Sequence, residues 1–163
     1  DPWSRSVLTA GGGRPESGPI PMLFADQAWA VAAPSIPAPG EAVITLAREG
    51  DRVVLTIPAR GARDLRLTLT TSVATTGATV QGQPAEGLLA RPDAIYRLRW
   101  YAPGEAVRIA FRPSAAGRVT VGYAALSDGW PPAARPLPPR PASVMAVGSS
   151  DASVVTGSAT LSW

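Results

Sequence analysis

Cysteine, histidine and lysine are all missing from these 163 residues. Without cysteine there is no disulfide, no thiolate metal ligand and no thiol nucleophile, and the redox compartment leaves no trace in the sequence. Without histidine the commonest general base and the usual zinc ligand are gone, and every Ser-His or Cys-His nucleophile arrangement goes with them. The absence of lysine removes the Walker-type phosphate loop and the Schiff-base amine. Arginine therefore carries all the positive charge, a bias that a GC-rich coding sequence explains. The net charge of +3 is modest, and the calculated pI of 10.2 reflects the very high pKa of the guanidinium group, so no nucleic-acid partner is expected. No apolar run approaches the roughly eighteen residues of a transmembrane helix. The opening Asp1-Pro2-Trp3 has neither an initiator Met nor a basic-then-apolar leader, so the sequence reads as a soluble piece of a longer chain.

What is present is strand rhythm, punctuated by 18 prolines and 16 glycines. Residues 1–20, centred on Gly11-Gly12-Gly13, read as a flexible lead-in. A single domain is expected over 21–163. Met22 to Val31 suggests a first strand or hairpin, with Asp26-Gln27 in or beside its bend. Val43 to Arg48 and Arg52 to Ile57 read as a hairpin joined by Glu49-Gly50-Asp51. In the next strand Leu65, Leu67 and Leu69 should face in while Arg66, Thr68 and Thr70 face out. Val80 to Pro84 is either a hairpin tip or a loop. Three period-two runs then follow between Ile95 and Leu126, their inward sets Tyr96/Leu98/Trp100, Val107/Ile109/Phe111 and Val119/Val121/Tyr123. Short links at Ala102-Pro103-Gly104-Glu105 and Pro113 to Gly117 predict that these runs form a three-stranded antiparallel meander. A proline-rich crossing over 129–143 precedes a last strand, Val154 to Trp163, which should return to a sheet started earlier. Seven to nine short strands with regular turns predict an all-β antiparallel sandwich of Greek-key or jelly-roll type, with an irregular barrel as the alternative.

Candidate chemistry is sparse. Asp26, Asp64, Asp93, Asp128 and Asp151 fall at predicted turns or strand ends, where turn hydrogen bonding accounts for them, and no Asp-x-Asp-x-Asp calcium pattern occurs. Ser149-Ser150-Asp151 has no nucleophile-elbow frame. No catalytic residue, metal ligand or cofactor is expected in this segment. Arg135-x-Leu137-Pro138-x-x-Pro141 fits a polyproline ligand, but a stiff connector explains it as well. Trp3 and Trp130 could stack on sugars from loops, or anchor those loops. The sharper candidate is the polar face of the predicted meander. Arg97, Arg99, Arg108, Arg112 and Arg118 would share it, with only Glu105 near its edge. It reads either as a solvated face or as a docking surface for an acidic partner domain or anionic lipid head groups. A free-standing carbohydrate- or ligand-binding sandwich is the competing function.

Near the C-terminus, Pro139-Arg140-Pro141-Ala142-Ser143-Val144-Met145, then Ser150-Asp151 and Val154-Val155-Thr156, resembles the tail of bacterial M28-family peptidases that carry membrane-spanning helices. Pro21-Met22-Leu23-Phe24-Ala25-Asp26-Gln27-Ala28-Trp29 is similar to the opening of the same tail domain. In that family a separate N-terminal domain binds two zinc ions through His, Asp and Glu and removes amino acids from peptides. None of its motifs is found in this sequence, so no catalytic residue carries over. The resemblance implies a non-catalytic accessory domain on the periplasmic side of a bacterial membrane. There it would be tethered in its parent chain, with that chain's peptidase and transmembrane domains as partners.

Overall fold

The computed structural model describes residues 3, 6–7, 9, 16–18, 28–30, 43–129, 139–143 and 152–163. Trp3, Ser6, Val7 and Thr9 have helical backbone, and β1 (Glu16–Gly18) pairs antiparallel with β2 (Ala28–Ala30). The remaining nine strands are β3 (Thr45–Glu49), β4 (Arg52–Pro58), β5 (Asp64–Thr71), β6 (Thr75–Val80), β7 (Gln83–Pro84), β8 (Tyr96–Tyr101), β9 (Ala106–Pro113), β10 (Arg118–Asp128) and β11 (Ala152–Ser162). They form two antiparallel sheets, β3-β4-β9-β6-β7 and β11-β10-β5-β8, and among the described residues these do not close into a barrel. The molecule is therefore an antiparallel β-sandwich, as its strand count and turn spacing predict.

Two turns show why the local sequence folds as it does. Glu49 pairs with Arg52, so Gly50-Asp51 is a two-residue hairpin loop with Gly50 at the positive φ its first position requires. Gln81 and Gly82 both take positive φ (50° and 79°), giving a type I′ turn that makes Val80 to Pro84 a true hairpin tip.

The inward sets pack against one another between the sheets. Val53, Leu55 and Ile57 of β4 and Val107, Ile109 and Phe111 of β9 meet Leu65, Leu67 and Leu69 of β5 and Val119 and Val121 of β10, nearly all fully excluded from solvent. Tyr96, Leu98 and Trp100 close one side of this core and Ala159, Leu161 and Trp163 the other. The Phe111 and Trp163 rings meet edge-on at 5.4 Å, and Trp163 Nε1 donates to the Ala115 carbonyl at 2.9 Å.

The expected meander does not form. β8 pairs with β5, β9 lies between β4 and β6, and β10 lies between β5 and β11, so consecutive strands alternate between the sheets. Period-two alternation states which face points inward but not which strand lies alongside. A four- or five-residue link can cross the ~10 Å between stacked sheets as readily as the ~4.8 Å between neighbours. Backbone bonds tie these crossings down: Ala59 N donates to Glu105 O (2.8 Å), Ala102 N to Arg63 O (2.9 Å) and Ser114 N to Ala74 O (3.0 Å). The last strand does join a sheet begun earlier, but its neighbour is β10, the strand it follows. With β3-β4-β9-β6 on one sheet and β5-β10-β11 on the other, the order matches the A-B-E-D and C-F-G sheets of immunoglobulin-type Greek-key sandwiches, with β7 and β8 inserted before the fifth strand.

Candidate docking surface

The alternation of strands between sheets divides the five arginines. Arg97, Arg99 and Arg118 point outward from the four-stranded sheet, whereas Arg108 and Arg112 belong to the five-stranded sheet on the opposite side of the sandwich. No single face holds all five. Arg108 reaches Glu49 at 3.2 Å and Arg112 reaches Asp51 at 2.6 Å, with every partner at least half exposed. Ion pairs this well solvated contribute ~0–1 kcal/mol each. Carboxylates therefore do share the arginine faces, contributed by β3 and its turn and by β5, not only by Glu105.

The four-stranded sheet is different. Strand register places Arg66 of β5 directly opposite Arg99 of β8, with Ala124 of β10 on its other side, and the next row holds Asp64 between Tyr101 and Leu126. Asp64 and Arg66 are two apart on one strand, so their side chains share the outward face. Arg66 donates to Asp64 Oδ2 through Nε and Nη2, both at 3.1 Å. Arg99 donates to Asp64 from the diagonal position, Nη2 to Oδ2 at 2.7 Å and Nε to both oxygens at 3.1 Å. One carboxylate thus holds two guanidinium groups that face each other across neighbouring strands.

Burial grades this cluster. The Asp64 side chain is 5% exposed and that of Arg66 10%, while Arg99 is 44% exposed. Burial alone would raise the Asp64 carboxyl, but the hydrogen bonds from Arg99 and Arg66, reinforced by their charges, more than offset it and hold its pKa below the usual carboxylate value. The same bonds push the Arg99 guanidinium further up. Arg99 also lies over the Tyr101 ring at 4.5 Å, and Tyr101 is itself exposed. One row along β8 is exposed Arg97, opposite Thr68. Arg118 stands further along β10, opposite Ser162. At the other end Arg63 bridges Asp128 at 2.8 Å. Near Arg118 the outward face carries hydroxyls, with Thr120 and Thr160 bonded at 3.1 Å across β10 and β11.

Asp64 and Arg66 are the site residues that sequence reasoning assigned elsewhere, one to a turn and one to a solvated face. Their Asp-x-Arg spacing on an alternating strand is the signal that could have joined them. Trp130, the stacking candidate, lies outside the described residues, as do Asp26, Asp151 and most of the proline-rich crossing. Trp3 is engaged by Arg140, whose guanidinium sits 4.5 Å from the ring centroid. Among the described residues no three carboxylates gather as metal ligands would, and no helix is long and apolar enough to cross a membrane. Comparison with protein-family models, curated proteins and solved structures found no match to this chain.

Proposed function

We propose that this chain is a non-catalytic docking domain that holds an acidic protein surface against the outward face of its four-stranded sheet. In this proposal it is the extracytoplasmic tail of a membrane-spanning M28-type zinc peptidase, and the acidic surface belongs to the peptidase domain of the same parent chain. Zinc would be held there and not by this segment. The context rests on the two end segments that resemble such tails, most of which lie outside the described residues.

The observation that carries the docking role is the Asp64 cluster. Arg66 and Arg99 stand directly opposite each other and, among the described residues, are both paired to the one carboxylate Asp64, so the cluster keeps a net positive charge, and directly opposed like charges are destabilising unless enough negative charge meets them. A partner carboxylate would supply that charge through bidentate guanidinium bonds. Arg99 is already fixed by Asp64 and Tyr101, so little side-chain freedom is lost on binding. A guanidinium fixed in position suits a carboxylate on a folded surface better than a fluid layer of head groups.

The coding sequence upstream of Asp1 tests the context: several apolar spans preceded by a His/Asp/Glu metal-binding domain are expected, and their absence overturns it. Docking is tested in that longer protein by amide exchange over 96–101. Exchange there should be slower than in the 163-residue chain and should revert in Arg97→Glu/Arg118→Glu, neither of which touches Asp64. Equal exchange in both chains overturns the docking role. Binding of the wild-type domain to phosphatidylglycerol vesicles that is lost in the double variant would assign the face to lipid instead.

A further inference from the structure

Among the described residues the two sheets of the sandwich end in four edges, and three carry recognisable protection against pairing with another strand. β7 is two residues long and contains Pro84. β3 is five residues long and carries Arg48 and Glu49. β8 is six residues long and carries Arg97 and Arg99. Short length, charge and proline are the standard means by which natural sheets block edge-to-edge association. The fourth edge, β11, has none of them. It runs for eleven residues, Ala152–Ser162, about 36 Å at strand rise, without one charged residue or proline.

Those of its hydrogen-bonding groups that do not face β10 can be identified. Trp163 N donates to Gly117 O at 3.1 Å, which makes 117 and 163 a hydrogen-bonded pair, and the β10–β11 register continues without a shift to Asp128 and Ala152. Such pairs alternate in an antiparallel ladder. The odd-numbered residues of β11 therefore direct their N–H and C=O groups at β10. Ala152, Val154, Thr156, Ser158, Thr160 and Ser162 direct theirs away from it. On the opposite side of the same sheet, Ser72 N donates to Arg118 O at 3.0 Å, which fixes the same alternation independently.

We infer that β11 pairs antiparallel with β11 of a second copy of this chain about a two-fold axis at Gly157, joining two four-stranded sheets into one of eight strands. Gly157 is the midpoint of β11, so the dyad there opposes Thr156 to Ser158, Val154 to Thr160 and Ala152 to Ser162, all of them residues with outward-directed backbone groups. Val155 meets Ala159 on the other face. No pair brings two like charges together. Self-pairing of β8 would set arginine against arginine, and β11 carries no charge with which to select a different partner strand. A two-fold contact also closes on itself, giving a dimer and not a fibre. This goes beyond the docking role and stands whether or not that role does.

The test is sedimentation velocity from about 1 µM to about 1 mM, combined with residue-resolved amide exchange. The wild-type chain should pass from monomer to dimer. Exchange at Val154, Thr156, Ser158 and Thr160 should slow with concentration while that at the already bonded odd positions stays constant. Ser158→Pro removes an outward donor, leaving the bonds to β10 in place, and should give a monomer with unchanged near-ultraviolet circular dichroism. Should that variant misfold, Thr156→Lys, a side-chain change alone, carries the test and should weaken the dimer at least tenfold. A chain that stays monomeric to 1 mM, or a dimer that forms unchanged in Thr156→Lys, overturns the inference.

Discussion

Replacing Asp64 with alanine removes a nearly solvent-free carboxylate that accepts hydrogen bonds from two guanidinium groups. The two arginines do not lose equally. Arg99 is 44% exposed and can turn its charge to water, whereas Arg66 is 10% exposed and keeps its charge in place, since a guanidinium does not deprotonate in a protein. Leaving one member of a buried pair without its partner costs ~3–5 kcal/mol, and the partial exposure of this cluster places Asp64→Ala at the low end, about 3 kcal/mol. With a urea slope of ~2 kcal/mol/M the midpoint should fall by about 1.5 M at pH 7. Arg66→Met in the Asp64→Ala background should recover at least half of that loss, because no buried charge then remains. The pH dependence has a defined sign. The folded pKa of Asp64 lies below its unfolded value, so its contribution is complete above the unfolded value and is lost as pH falls through the folded one. The gap between wild type and Asp64→Ala should therefore hold constant from neutrality to about pH 4 and narrow below that. A gap under about 1 kcal/mol at pH 7, or one that widens on acidification, would refute the assignment of Asp64 as the compensating charge.

Leu67 and Phe111 are fully buried between the sheets, so Leu67→Ala or Phe111→Ala should each lower the unfolding free energy by about 3–4 kcal/mol in the same urea titration. A Cβ at Gly157 would sit 2.6 Å from the Tyr123 hydroxyl, so Gly157→Ala should cost about 1–2 kcal/mol, and a double-mutant cycle with Tyr123→Leu should remove most of that cost. The Thr71 hydroxyl is buried and finds no hydrogen-bond partner among the described residues, so Thr71→Val should be neutral or raise the thermal midpoint. The buried Thr75 hydroxyl instead donates to Leu89 O at 2.9 Å, so Thr75→Val should lower stability by about 1–2 kcal/mol. Opposite signs at these two threonines are the expected signature of satisfied and unsatisfied hydroxyls.

Much of the sandwich was legible because strand alternation reports burial directly. The Leu65/Leu67/Leu69, Val107/Ile109/Phe111 and Val119/Val121 sets all face the core as their spacing predicts. The Gly50 hairpin was legible through its turn residues. The structure chooses the hairpin for Val80 to Pro84 because Gln81 accepts a left-handed φ beside Gly82. Other features depend on long-range geometry that no local pattern contains. Arg66 occupies an outward position yet is buried, bonded to Asp64 at a sheet end where Ala124 and Leu126 are also solvent-free. Asp64 opens a strand and so resembled a turn residue; its role depends on Arg99, thirty-five positions away.

The neighbours of each strand were nonetheless written into the charge pattern. Had β8 paired with β9, as a meander requires, Arg97 and Arg99 would have stood beside Arg108 and Arg112, each close pair costing a few tenths of a kcal/mol. The observed order gives three of these a carboxylate: Arg99 meets Asp64 on β5, Arg108 meets Glu49 on β3, and Arg112 meets Asp51 in the turn beyond it. Hydrophobic alternation is satisfied equally well by either arrangement, since both bury the same Val, Ile, Leu and Phe side chains. The outward residues are what distinguish the two. Arginine on consecutive strands therefore weighs against their pairing only where no acid can reach them: β5 and β8 do set Arg66 against Arg99, and it is Asp64 between them that makes this tolerable.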